Sequence, residues 1–293
     1  MRDASQGCKM PQTTPGNKLG SEHGDPAMNT SPFPALGAPR WPTHLTKAGL
    51  WILAAGVLIA LLSGQLNRFS LAGVGTALMT LVAGLGVTVI GTAVAIVGVL
   101  AATARRSPVP VTATVIGIVV GLGVTAYVLS WVAKARSAPP IHDITTDLTN
   151  PPAFDAAVLK LRERSHAVNS PEYVRQIHGP GGKIIDVPQL QREYYPYIKP
   201  LLLAQPPEQA LAKARAVARQ MGWRLDAYAP AQGRLEATAH TFFFDFKDDI
   251  VVRITPNGAG SRVDVRSESR VGVSDVGTNA ARIRRFLELM QQP

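Results

Sequence analysis

The sequence predicts two unlike parts: an all-α anchor of three transmembrane helices, then an α+β soluble domain, an antiparallel meander sheet with helices on one face. Three observations lead there. Uncharged apolar runs recur three times between residues 48 and 133, and they leave no polar face to meet water. Beyond residue 137 the hydropathy falls, and from Trp223 the apolar period becomes two, the signature of half-buried strands. Those strands follow one another without alternating singly with helices, which argues against a doubly wound nucleotide fold. The expected organisation is a disordered tail over 1–46, an anchor over 47–136, a linker over 137–150 and the soluble domain over 151–293.

The tail is rich in Pro, Gly, Ser and Thr and has no periodic apolar face, a composition that cannot offset the entropy of ordering. It holds the single cysteine, Cys8, so no intramolecular disulfide can form. Met28 offers an alternative start of translation.

Between Lys47 and Arg68 lie 20 uncharged residues, about the length that a helix needs to cross a bilayer core of ~30 Å. Leu71 to Ala102 form a second run of 32 residues, ended by Arg105 and Arg106. Its opening, SLAGVGTAL, reads as a re-entrant or interfacial turn. After Pro108 and Pro110, Val111 to Ala133 give a third run of 23, closed by Lys134 and Arg136. The helices are expected over about 48–66, 77–103 and 111–133. Trp51, Tyr127 and Trp131 mark their interfaces with the headgroups.

Small residues form stripes in the second and third runs: Gly84, Thr88, Gly91, Ala95 and Gly98, then Thr114, Gly117, Gly121 and Thr125. Such stripes let backbones approach closely in lipid, so the second and third helices are expected to pack together or to dimerise through these glycines. No ionisable residue lies inside a run, which favours a tether over a transport route.

The formal charge of +10 does not imply nucleic acid. Residues 1–136 hold 10 Lys/Arg against 3 Asp/Glu, while 137–293 hold 20 against 17. The excess flanks the apolar runs, where it sets topology.

In the soluble part, Asn150 before Pro151 reads as a helix N-cap, with Phe154, Val158 and Leu161 following at helical spacing. A long loop-like region spans about 165–201 and contains HGPGGK and the tyrosines of REYYPYIKP. PPEQALAKARAVARQM is an amphipathic helix burying Leu211, Ala214, Val217, Ala218 and Met221, and ending at a left-handed Gly222. In GRLEATAHTFFF, Leu235, Ala237, Ala239, Thr241 and Phe243 share one face of a strand. DIVVRIT and RVDVRSESR flank the turn PNGAG as a hairpin. Pairing Thr255 with Arg262 sets Arg253 against Asp264 and Val251 against Arg266, giving an outer face with a ladder of charges. A last helix starts near Ser274 or Asp275 and buries Ile283, Phe286, Leu287 and Met290.

Three of these segments, HDITTD (142–147), FKDDIVVRI (246–254) and VRSESRVGVSDVGTNAARI (265–283), resemble the family catalogued as domain of unknown function 1499. The resemblance covers roughly 139–289. It implies bacterial relatives with similar multi-pass anchors, and the soluble domain alone in photosynthetic eukaryotes. It implies no reaction and carries over no catalytic residue.

Read physically, Asp248, Asp249, Arg253, Arg266 and Arg270 gather at the hairpin, and Asp275, Asn279 and Arg282 share a face of the last helix. Such a set serves as a structural ion-pair network, or as a site where arginines and a helix N-terminus grip a small anion. The functional expectation is a domain that binds a partner or a small anionic or lipid ligand. The alternative is a tethered hydrolase-like enzyme using the Asp/Arg cluster. Tyr194, Tyr195, Tyr197 and the series Phe242, Phe244, Phe246 either wall an apolar pocket or fill a core. His142, Asp143 and Asp147 are secondary candidates, but metal sites need three or four ligands with supporting spacing, so no metal and no cofactor is expected. Ser267 and Ser269 lack a nucleophile elbow.

Orientation follows from basic residues near the helix ends. With the N-terminus inside, Arg40, Lys47, Arg105 and Arg106 lie in the cytoplasm, and Arg68, Lys134 and Arg136 outside. The expected location is thus the cell inner membrane with a periplasmic C-terminal domain. A reporter active only outside the cytoplasm, fused after Met290, is expected to be active. Activity of a cytoplasm-only reporter at that position would reverse the orientation.

Overall fold

The computed structural model describes residues 39–179 and 182–292. The expectations for the tail, with Cys8 and Met28, lie for residues 1–38 outside the described residues. Arg40–Pro293 form one compact unit.

Three helices are long and apolar enough to cross a membrane: α1 (Trp41–Arg68), α2 (Val74–Arg105) and α3 (Val111–Ser137). The first starts inside the stretch read as tail, because Pro42 suits a first helical turn and Thr46 packs against Gly98 of α2. Of SLAGVGTAL only the beginning is a turn, with Ser70 in the left-handed region, and α2 is already helical at Val74.

The glycine stripe of α2 faces α1, not α3. Gly84 lies against Ala60 and Gly56, Gly91 against Leu53 and Gly49, and Gly98 against Thr46. The sequence reading missed the matching small residues of α1, Gly49, Gly56 and Ala60, which let the two backbones touch. On α3, Gly117 meets Leu50 and Gly121 meets Thr92 and Leu53. Every glycine of the proposed dimer stripe therefore has a neighbour within the chain. Only Thr114 and Gly121 of α3 are buried.

The soluble domain is α+β. Its elements are β1 (Asp143–Thr145), α4 (Ala156–Arg164), β2 (Gln176–His178), β3 (Ile184–Asp186), α5 (Val187–Tyr194), β4 (Leu201–Leu203), α6 (Pro207–Gln220), β5 (Arg224–Ala229), β6 (Arg234–His240), β7 (Lys247–Asn257), β8 (Gly260–Ser269) and α7 (Thr278–Gln291). Strands β5 to β8 form the meander, and β1 and β4 pair with successive stretches of the outer edge of β8. The hairpin has the expected register, Thr255 opposite Arg262, Arg253 opposite Asp264 and Val251 opposite Arg266. Gly258, at φ +60°, supplies the positive φ that this two-residue turn needs.

The two long helices α6 and α7 pack on one face of the sheet. Their Leu211, Val217, Ile283, Phe286 and Met290 meet Leu235, Ile250, Val252, Val263 and Val265 in the main core, where Trp223 stacks on Phe286 at 5.2 Å. The opposite face is polar, yet it is not an outer face. The segment from Asn150 and α4 lie over it, and only Phe154, Val158 and Val251 form an apolar island there. At the edge, the buried Gln191 side chain of α5 completes β1, accepting from the Thr145 N–H and donating to its carbonyl.

Local starts differ from expectation for identifiable reasons. Asp155, not Asn150, stands before α4, because Arg253 and Arg234 hold the Asn150 and Ala153 carbonyls against the sheet in an extended segment. The region 165–201 contains the β2–β3 hairpin and α5. Strand β6 ends at His240, and Thr241 to Phe246 form a turn closed by Asp245 in the left-handed region, so the phenylalanines are not a strand face. Helix α7 begins at Thr278 behind a left-handed Gly277.

Candidate functional site

Strand alternation divides the predicted cluster, because the neighbours Asp248 and Asp249 point to opposite faces of β7. On the polar face, Arg266 and Glu268 of β8 line up with Arg270 just after it. The Arg266 guanidinium grips Asp143 of β1 with Nε to Oδ1 at 2.9 Å and Nη2 to Oδ2 at 2.8 Å. Its remaining donors reach the Pro152 and Pro171 carbonyls and Glu268. The group lies 4.7 Å from the ring centre of Phe154 and 5.7 Å from that of Tyr173, and the residue is 1% exposed. An arginine enclosed and paired in this way is not open to a ligand.

Arg270 donates Nε and Nη2 to Asp249, with the shortest contact 2.6 Å, and reaches the hydroxyls of Thr238 and Ser165. Arg162 enters from α4 and bridges Asp249 at 2.8 Å and Glu268 at 2.9 Å while donating to the Asn169 carbonyl. Three arginines and three carboxylates thus interlock, all from residues buried in the fold. The Arg162 Nε alone of these groups is buried without a hydrogen-bond partner. Burying charges is tolerable only with such pairing, and taking away one partner typically costs about 3–5 kcal/mol.

The other predicted residues lie elsewhere. Arg253 joins Asp147, Asp264 and Arg262 nearer the hairpin turn, with contacts of 3.0–3.1 Å. On the α7 side of the sheet, Arg282 binds Asp248 at 2.6 Å and also donates to Ser267 and Asn279. Asn279 in turn donates to the His142 carbonyl and the Ser269 hydroxyl. Asp275 accepts from the backbone N–H groups of Gly277 and Asn279, and so occupies the helix N-terminus that an anion would need. His142, Asp143 and Asp147 go to three different partners: the Val273 carbonyl at 3.3 Å, Arg266, and the Arg253–Arg262 pair. Among the described residues no group of three His, Cys, Asp or Glu is placed to hold a metal ion.

Sequence reasoning missed Glu268, Arg162 and Glu236. The period of two puts Glu268 between Arg266 and Arg270, so that member was legible. Arg162 reaches the sheet from more than 80 residues away in sequence, and nothing local marks it.

Electrostatics follow from enclosure. Burial first, then the nearby Asp143 and Asp249, push the Glu268 carboxyl up to about 8 against the pull of Arg162 and Arg266. Burial likewise raises Asp275 and Glu236. For Arg266, burial works against the charge, but Asp143 outweighs it and the pKa rises. Asp147 is lowered: burial opposes its charge, but N–H groups of Asn150 and Thr149 and the two arginines prevail.

Cavities among the described residues lie elsewhere. One, of about 280 Å³, lies between Tyr197–Leu201 and α7. Another, of about 890 Å³, is an apolar groove between α1 and α3 lined by Leu50, Trp51, Gly117 and Val120. None of the network residues lines either.

A carboxyl with a folded-state pKa above its ordinary 4.5 binds its proton more tightly when folded. Its contribution to stability is full below about 4.5 and is lost as pH rises through about 8. Denaturant unfolding of the detergent-solubilised protein is therefore expected to show a fall in stability between about pH 5 and about pH 9 that Glu268→Gln flattens. An identical pH dependence in both proteins would refute the assignment.

The family model described as protein of unknown function (DUF1499) matches residues 143–290. No curated protein matches the chain. The matched stretch begins at β1 with Asp143, takes in the entire sheet and ion network, and ends in α7, about half of the sequence. On that match the chain belongs to the DUF1499 family.

Proposed function

We propose that the protein is a membrane-tethered binding protein of the cell inner membrane whose domain, on the periplasmic side, takes a small amphiphilic anion. The majority of basic residues on the side of the bundle where α1 begins, four against three, supports this orientation. The ligand reading moves away from Arg266 and Arg270, which are enclosed and paired inside the fold, to the cavity beside α7.

One observation carries it. The cavity is lined by apolar Pro200, Leu201 and Leu287 and by two cations, Lys199 and Arg284. Lys199 is exposed and has no ion-pair partner among the described residues. Arg284 lies 5.7 Å over the Tyr197 ring, ready to present its planar group. Glu288, 3.6 Å from Arg284, is the internal anion that a ligand would displace. The volume is near the lower end of small-molecule sites, roughly 300–1,000 Å³, which fits a compact ligand.

The rival reading, a hydrolase built on the Asp/Arg cluster, requires a carboxyl of raised pKa open to a cleft. Glu268 has the raised pKa, but its side chain is enclosed and paired with two arginines.

The probe 2-naphthoate, a flat apolar body with one carboxylate, is expected to bind the full protein in nanodiscs above the empty-nanodisc blank in calorimetric titration. Lys199→Ala combined with Arg284→Ala is expected to weaken binding about tenfold or more, since charge-assisted hydrogen bonds contribute about 1.5–3 kcal/mol. Uncharged 2-naphthol is expected to show no such loss. Absence of naphthoate binding, or binding indifferent to the two substitutions, would sink the proposal.

A further inference from the structure

The turn between β6 and β7 sits on the end of α1. Asn67 Nδ2 donates to the Phe244 carbonyl at 2.6 Å, and Arg68 Nη1 donates to the Phe242 carbonyl at 3.1 Å. Phe243 covers Gly64 so closely that any side chain there would meet its carbonyl and ring. Arg68 is the first charge after the uncharged run of α1, so it marks where that helix leaves the hydrocarbon. Gly64 lies four residues earlier, about 6 Å along the axis at 1.5 Å per residue. The turn therefore reaches past the level of the first headgroup-facing charge. Near the C-terminal end of α3, Trp131 carries the Lys134 ammonium 4.8 Å over its ring.

At this level the surface is apolar where a domain facing water would be polar. Phe242 is 87% exposed, and Phe69 and Leu71 of the α1–α2 turn are 67% and 73% exposed. Val273, 71% exposed, belongs to the same end of the domain. Arg270 N–H donates to the Lys247 carbonyl beside the aromatic turn, and Ser274 donates to Pro139 just after α3. The turn is also rigid, held by Asp245 against His240 at 2.9 Å, by two hydrogen bonds of Phe246 to Thr241, and by the stacked Phe244 and Phe246 rings. Aromatic side chains on a stiff support at the headgroup boundary match the belts that anchor spanning helices.

We infer that the β6–β7 turn is a membrane-docking element: Phe242, flanked by Phe69 and Leu71, inserts into the bilayer interface and fixes the soluble domain flush against the membrane that α1–α3 cross. The occupant of this apolar surface is the boundary between lipid headgroups and acyl chains. The inference is independent of any ligand at the α7 cavity. It gives the soluble domain one orientation, with the β7–β8 turn at Ala259 at the opposite, distal end of the strands.

The test uses the full chain in liposomes with its single cysteine replaced, Cys8→Ser. Nitroxide labels are attached at Phe242→Cys, Val273→Cys and Ala259→Cys, and collision rates with oxygen and with a water-soluble nickel chelate are compared. Position 242 is expected to favour oxygen and 259 nickel, with 273 between them, and the oxygen-to-nickel ratio at 242 is expected to exceed that at 259 about tenfold. Nickel access at 242 equal to that at 259 would overturn the inference. So would low access to both reagents, which would mean that a protein surface covers the turn. With the native tryptophans Trp41, Trp51, Trp131 and Trp223 replaced by phenylalanine, Phe242→Trp keeps an aromatic at the site and needs no label. Its emission is expected to be quenched by lipids brominated high in the acyl chain, and that of Ala259→Trp in the same background not, and equal quenching would also overturn the inference.

Discussion

The bidentate pair of Arg266 with Asp143 is the interaction on which the rest of the domain depends. Asp143 enters six residues after α3 ends, and its capture pins the first strand to the outer edge of β8. The same guanidinium holds the Pro152 and Pro171 carbonyls, one before and one after α4, so a single side chain organises the layer that covers the polar face. Phe154 and Tyr173 flank it, excluding water and strengthening each of those contacts. Arg162 and Arg270 repeat the arrangement one and two rungs along, tying α4 and the loop after it to Asp249 and Glu268.

This explains how one sheet supports two unlike faces. The face under α6 and α7 is held by ordinary apolar packing. The other would be a poor partner for α4, a helix of nine residues in which Val158 is the one buried apolar side chain, and is held by charge-assisted hydrogen bonds instead. Such pairing contributes little net stability against an apolar substitute but is intolerant of partial removal, so it specifies register and position more than it adds strength. The charged residues of the family segments are accordingly tied up in architecture, and the surfaces free to interact are those outside the network.

Much of this was legible in the sequence. The three spans follow from uninterrupted apolar length, and the hairpin register from placing the turn at Asn257 to Gly260, after which alternation sets Arg253 against Asp264. Burial of the charged face was not legible, because nothing near residues 156–164 says that this short helix folds over β7. The division of the site was half legible: adjacent Asp248 and Asp249 must diverge, whereas the reach of Arg282 to Asp248 depends on how α7 lies across the sheet. The glycine stripe of α2 is legible as a packing face, but its neighbour is not, since the complementary stripe of α1 is interrupted by Leu53 and is less regular. The alternation of Phe242, Phe244 and Phe246 suggested a strand, but Asp245 in a left-handed conformation turns the chain.

A double-mutant cycle on Arg266 and Asp143 bears most directly on the structural role of the network. Each is replaced by leucine, singly and together, and the unfolding free energy of the full protein is measured in one detergent. Each single substitution should cost about 3–5 kcal/mol, and the double substitution clearly less than their sum, because the second change removes the charge that the first leaves stranded. If Arg266→Leu changed stability by less than about 0.5 kcal/mol, the network would not be what holds the domain together.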